Sequence, residues 1–170
     1  MNLKAYLENL NINFHEDNRE TWDEYFAKIA LLIASRSTCF HRKVGAVIVK
    51  DKRILATGYN QPPSNFPHCD SIGCIRDDLN IESGKNQEIC YALHAEQNAL
   101  MQAARFGIST DGSTIYVTHK PCSVCARLII NAGIKKVVYL QDYPDPLTDF
   151  LFKVTNVETK LIGGGLIEKG

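Results

Sequence analysis

His94, Glu96, Cys122 and Cys125 are the residues whose types and spacing could act together chemically. Cys122 and Cys125 stand in Pro121-Cys122-Ser123-Val124-Cys125. At a helix start, positions three apart share a face, so both sulfurs can reach one ion. The positive end of the helix dipole favours thiolates, the species that bind zinc. His94 opens the preceding helical segment, one strand away in sequence. Two helix N-termini could thus offer nitrogen, sulfur and sulfur to one zinc. Three protein ligands leave a fourth position for water, as a catalytic site requires. Zinc lowers the pKa of such a water to about 7. Glu96 lies two residues after His94, about 200° around an ideal helix. It is therefore poorly placed as a fourth ligand and is the candidate proton shuttle. The bland alternative is a closed zinc site, or buried thiols beside an unrelated histidine.

The chain has six cysteines. In a reducing compartment they are metal ligands or buried thiols rather than disulfides. Cys39, Cys69, Cys74 and Cys90 bracket a long segment with few apolar residues, and His68 and Glu88 adjoin two of them. A structural metal would explain how that segment stays folded. Four separately buried thiols are the alternative. His15 reads as a surface histidine. His119 sits beside the cysteine motif and is expected to line the pocket without binding metal.

The elements that must position these residues are legible in outline. Residues 1–20 read as an N-terminal arm with at most one short helix. Residues 21–170 read as one domain with a long loop at about 59–91. Thr21 and Glu24 form a capping-box pattern. Trp22, Tyr25, Phe26, Ile29, Ala30 and Ile33 follow at helical spacing, and the helix is expected to end near Arg36. Val44–Val49, the KDKR turn and ILATG predict an antiparallel hairpin. HAEQNALMQAARFG predicts a helix stopped by Gly107. Ser113–Thr118 predicts a strand. PCSVCARLIINAG predicts a helix with Pro121 near its first position. Lys135–Leu140 predicts a further strand. Asp145 and Pro146 predict the cap and first residue of a last helix, with VETKLI as the last strand. Alternating helices and strands in this half imply parallel strands joined by crossovers.

His94-Ala95-Glu96 with Pro121-Cys122-Ser123-Val124-Cys125 resembles the H-x-E…P-C-x-x-C signature of zinc deaminases. RSTCFHRKVGAVIVKD, the Gly58-Tyr59-Asn60 turn, HCDSIGCIRD, LHAEQNAL and YVTHKPCSVC are similar to the deoxycytidylate deaminase family, late-competence-type members included. The resemblance spans roughly residues 22–145. It implies an α/β cytidine deaminase-like fold, a three-layer α-β-α sandwich around a mixed five-stranded sheet. It implies hydrolytic deamination of dCMP to dUMP with release of ammonia, on a catalytic zinc held by His94, Cys122 and Cys125, with Glu96 moving protons. It also implies that Asn60 contacts the sugar or base edge and that the backbone around Ala95 holds the base. A second, structural zinc in the long loop is implied too. Cys39 and Cys69 fall at its ligand positions, Cys74 and Cys90 are our choices for the others, and His68 is the reserve. A homo-oligomer, as a hexamer, with dCTP and dTTP as effectors completes what the resemblance implies.

Other residues are read from their own setting. His41-Arg42-Lys43 is a candidate phosphate contact, as is Arg76, although cationic runs are commonly solvated edges. Tyr139 and Tyr143 flank the end of a parallel strand, where ligand crevices open. Nineteen Lys and Arg balance nineteen Asp and Glu. That balance argues against a nucleic-acid partner, which calls for a basic stripe. No apolar run approaches the roughly 18 residues of a membrane span, and no secretory signal is visible, so a cytoplasmic protein is expected. The competing functions are a deaminase of another cytosine nucleoside, nucleotide or nucleic-acid base, and a non-catalytic zinc-binding partner protein on the same scaffold.

Overall fold

The structure is a computed structural model describing residues 2–8, 18–82 and 84–163. His15 and the glycine-rich tail lie outside the described residues. A short helix α1 (Leu3–Glu8) stands in the arm. Helix α2 (Trp22–Ala34) carries the capping box: Glu24 N–H donates to Thr21 Oγ1 at 3.3 Å and Thr21 N–H to Glu24 Oε2 at 2.8 Å. It ends two residues before Arg36, because Ser35 and Arg36 N–H donate three residues back and tighten the last turn.

Strands β1 (Gly45–Lys50) and β2 (Arg53–Tyr59) form the expected hairpin. Asp51 and Lys52 at its tip both have positive φ, 50° and 62°, the geometry that matches strand twist in a two-residue turn. Strands β3 (Thr114–His119), β4 (Lys136–Gln141) and β5 (Glu158–Leu161) complete one sheet in the order β2-β1-β3-β4-β5. β1 is antiparallel to both neighbours, whereas β3, β4 and β5 run parallel. The parallel strands are linked by α6 (Ser123–Asn131) and α7 (Pro146–Val154). Helix α5 (Ala95–Arg105) leads into β3.

One face of the sheet packs Val47, Val49, Tyr116 and Val138 against Phe26 and Ala30 of α2. The other packs Ile48, Ile115, Val117 and Val137 against Ala95, Ala99, Ile129 and Phe152 from α5, α6 and α7. The fold is the three-layer sandwich around a mixed five-stranded sheet. No helix among the described residues is long and apolar enough to cross a membrane. The segment expected to be irregular contains two single-turn helices, α3 (Cys69–Ile72) and α4 (Ile75–Asp78), and a 3₁₀ turn at Gln87–Ile89. Gln61 and Leu93 exchange two backbone hydrogen bonds, 3.3 and 2.9 Å, at its two ends.

Two glycines set how close the helices lie. A Cβ at Gly45 would fall 2.1 Å from Ala30 O, and one at Gly58 would fall 2.3 Å from Ala95 O and 2.4 Å from Ala99 N. Helix α5 therefore rests its backbone directly on β2. Gly58→Ala should push α5 off the sheet and lower stability by about 1–3 kcal/mol, the usual cost of overpacking. The midpoint of denaturant unfolding checks this. An unchanged midpoint would mean that the contact yields freely.

Candidate active site

The N-termini of α5 and α6 meet at one point. His94 is the extended N-cap of α5, with φ −70° and ψ 158°, and its N–H donates to Gln97 Oε1 at 2.8 Å. Cys122 is the extended N-cap of α6, with φ −74° and ψ 168°. Pro121 thus precedes the cap, two positions before the first helical residue Ser123. The cap's carbonyl already accepts the first helical bond, from Ala126 N–H at 2.8 Å.

His94 Nδ1 lies 3.5 Å from Cys122 Sγ and 3.4 Å from Cys125 Sγ. For a tetrahedral zinc with ordinary Zn–N and Zn–S lengths, the N···S edge is about 3.5 Å. The three ligand atoms all lie within 4.8 Å of one another. Soft thiolates with an imidazole suit zinc. The residues present therefore fit the ion.

Glu96 is 4% exposed and is the one buried carboxyl among the described residues. Burial pushes its pKa up, while charge on His94 pulls it down. The two thiols shift in opposite directions. Donation from the Cys125 thiol takes Cys122 down to about 4, with His94 adding to the effect. That same donation, then burial and the Glu96 charge, hold Cys125 well above the usual thiol range. The hydrogen bond to Cys122 raises His94 in turn.

These groups lie along one cavity of about 260 Å³. His94, Ala95, Glu96 and Cys122 line it, together with Arg42, Asn60, His119 and Tyr143. The Arg42 guanidinium stands 5.5 Å over the Tyr143 ring. Desolvation and the charge of Arg42 lower the pKa of His119. Lys43 and Tyr139 do not line the cavity. Lys43 is exposed, and the Tyr139 ring, alternating with Val138 on β4, packs on the α5–α6 side of the core. Arg76 reaches the cavity, but its guanidinium donates to Asn86 O at 2.9 Å and Glu82 O at 2.7 Å, stitching the long loop. No sequence pattern singles out Lys120. It is a buried cation paired with Asp149 at 2.7 Å and Asp142 at 3.4 Å, two residues before Cys122.

Cys39, Cys69, Cys74 and Cys90 also line this cavity. Burial and then the charges of the other three raise the Cys69 pKa. Among the described residues, the second group with ligand atoms within 4.8 Å of one another is His41, Cys74 and Asp77, not the cysteine quartet. His41 Nε2 lies 2.8 Å from Asp77 Oδ1. His68 is exposed and does not line the cavity.

A sheet of this topology with its reactive groups at two adjoining helix starts is the cytidine deaminase-like architecture, and its hydrolases remove amino groups from rings. The family model of MafB19-like deaminases matches residues 20–170. ComE operon protein 2 of Bacillus subtilis is 41% identical over 85% of this chain and 72% of its own length. The deoxycytidylate deaminase of Saccharomyces cerevisiae is 44% identical over 74% of this chain, which spans only 39% of that enzyme. The crystal structure of dCMP deaminase from the cyanophage S-TIM5, in complex with dCMP and dUMP, superposes with a TM-score of 0.69. The two are 35% identical, with 86% of this chain and 100% of that one covered. The chain belongs to the MafB19-like deaminase family, alongside the deoxycytidylate deaminases.

Asn60 shows how the cavity rim is tied. Its Oδ1 accepts from Val44 N–H and its Nδ2 donates to Arg42 O, both at 2.8 Å. Asn60→Ala leaves both backbone groups without that partner. It should cost about 1–3 kcal/mol in denaturant unfolding even with no nucleotide present. A stability equal to wild type would show that the amide serves the ligand alone.

Proposed function

We propose that this protein deaminates dCMP hydrolytically to dUMP and ammonia. The observation that carries the reading is the buried Glu96 carboxyl beside a His–Cys–Cys trio of zinc-ligand spacing. The dCMP and dUMP bound by the cyanophage relative support the substrate. His94 through Nδ1, Cys122 and Cys125 would hold a zinc, which when bound would supply the nucleophilic oxygen of water at neutral pH. Glu96 would take one proton from the attacking water and deliver it to ring N3, then take the remaining proton of the added hydroxyl and deliver it to the departing amine, leaving the carbonyl oxygen. One water is added and one ammonia leaves. Burial suits Glu96 to this work, because a raised pKa lets the carboxyl both accept and return a proton.

The backbone around Ala95 and the Cys122 turn hold the base edge. Asn60 keeps one amide hydrogen and one lone pair for the sugar, beyond those used on Arg42 and Val44. Arg42, stacked on Tyr143 at the cavity mouth, is the phosphate contact. A second, structural zinc on Cys39, Cys69, Cys74 and Cys90 rests on the family resemblance and on all four lining the cavity; their sulfurs do not stand at ligand spacing among the described residues.

Glu96→Gln should keep the wild-type zinc content and lose about 10²–10⁴-fold in turnover, the usual worth of a general acid–base group. Elemental analysis should give two zincs per chain in wild type and in Glu96→Gln, and one in Cys69→Ser. Loss of metal in Glu96→Gln would make it a ligand and reject the shuttle. A single zinc in wild type would reject the second site.

The resemblance also supports a homo-oligomer, as a hexamer, activated by dCTP and inhibited by dTTP. Ammonia release measured on cytidine, deoxycytidine, CMP, dCMP and single-stranded DNA, with and without each triphosphate, should show dCMP preferred and its saturation curve displaced. The protein assayed should be of known mass in solution. Preference for single strands would replace the substrate. Superimposable curves, or a monomer, would remove the regulation.

A further inference from the structure

Cys122 owes its orientation to a helix that contributes no ligand. The first turn of α7 holds both peptide groups that flank this cysteine. On one side, Thr148 Oγ1 donates to Pro121 O at 3.2 Å, with Thr148 fully buried. On the other, Ser123 N–H donates to Asp145 Oδ2 at 2.8 Å. Fixing the planes before and after one residue fixes its φ and ψ, and so aims its Cα–Cβ bond. Lys120 reinforces the joint through Asp149 of the same helix.

Asp145 divides its carboxylate between two helices. Oδ1 accepts from Leu147 and Thr148 N–H, both at 3.1 Å, and caps α7. Oδ2 takes the first N–H of α6, a donor with no partner inside that helix. A single-helix cap needs only the first set. The second bond spans 22 residues of sequence and ends on the residue next to a metal ligand.

We propose that Asp145, assisted by Thr148, is a positioning residue for the metal turn, setting zinc affinity by locking the Cys122 backbone. The inference rests on the zinc reading above. Groups that orient metal ligands from behind typically change affinity by about 10–100-fold when altered.

The two roles of Asp145 are separable. In Asp145→Asn the amide oxygen can keep the two α7 bonds, while the NH₂ group then faces Ser123 N–H with no acceptor. Thr148→Val keeps the shape and removes the donor to Pro121 O. Thr21→Ala removes the remote cap of α2 and serves as the stability control.

The full chain is equilibrated at stepped concentrations of buffered free zinc. Protection of Cys122 and Cys125 from alkylation is read peptide by peptide by mass spectrometry, beside denaturant unfolding of each variant. We expect half-protection in Asp145→Asn and Thr148→Val to need about 10–100-fold more free zinc than wild type. Thr21→Ala should lose stability and protect as wild type does. Wild-type protection in both α7 variants would overturn the inference. So would an equal loss of protection in Thr21→Ala, because the effect would then be general destabilisation. If the wild-type cysteines stay unprotected at every zinc concentration, the zinc reading itself fails and takes this inference with it.

Discussion

The approach of α5 to β2 is the contact on which the site depends. Helix and strand meet backbone to backbone, because Gly58 has no side chain and α5 offers only Ala95 and Ala99 there. His94 is the residue just before this contact, and Glu96 is the one inside it. A larger residue on either surface would lift the start of α5 away from α6. The trio spacing of 3.4–3.5 Å leaves little room for such a shift. Packing at the sheet thus becomes geometry at the site.

Charge sets the second condition. Two thiols and a carboxyl lie together where water is scarce, and all three favour the same sign. Two helix N-termini, each equivalent to roughly half a positive charge, relieve part of that repulsion. The hydrogen bond between the two thiols lowers the Cys122 pKa and raises that of Cys125, so the pair divides the burden unequally. A divalent cation would answer the same conflict with both thiols ionised.

Much of this was legible in the chain. The hairpin, the parallel half, the Thr21 and Asp145 caps and the trio all follow from periodicity, turn chemistry and helix geometry, which act over a few residues. What escaped was set by contacts between distant segments. Gly58 read only as the end of a hairpin strand and the start of a turn, since nothing local announces that a helix 37 residues on lies against it. Asp145 read as one cap because its second partner is on another helix. Tyr139 looked like a pocket residue from its place at a strand end. Strand alternation instead sent its ring to the core. Lys43 differs from Arg42 for a related reason. Neighbours just before a strand point apart, and only one faces the cavity.

The backbone bridge between Gln61 and Leu93 has a consequence for how this scaffold can vary. With its two ends tied together, the excursion between them is a closed appendage whose length the sheet does not feel. The chain entropy lost on closing such an excursion rises only logarithmically, by about 0.6 kcal/mol for each doubling of length. Residues can therefore be added or deleted there at small thermodynamic cost, while His94, the residue immediately after Leu93, stays in register.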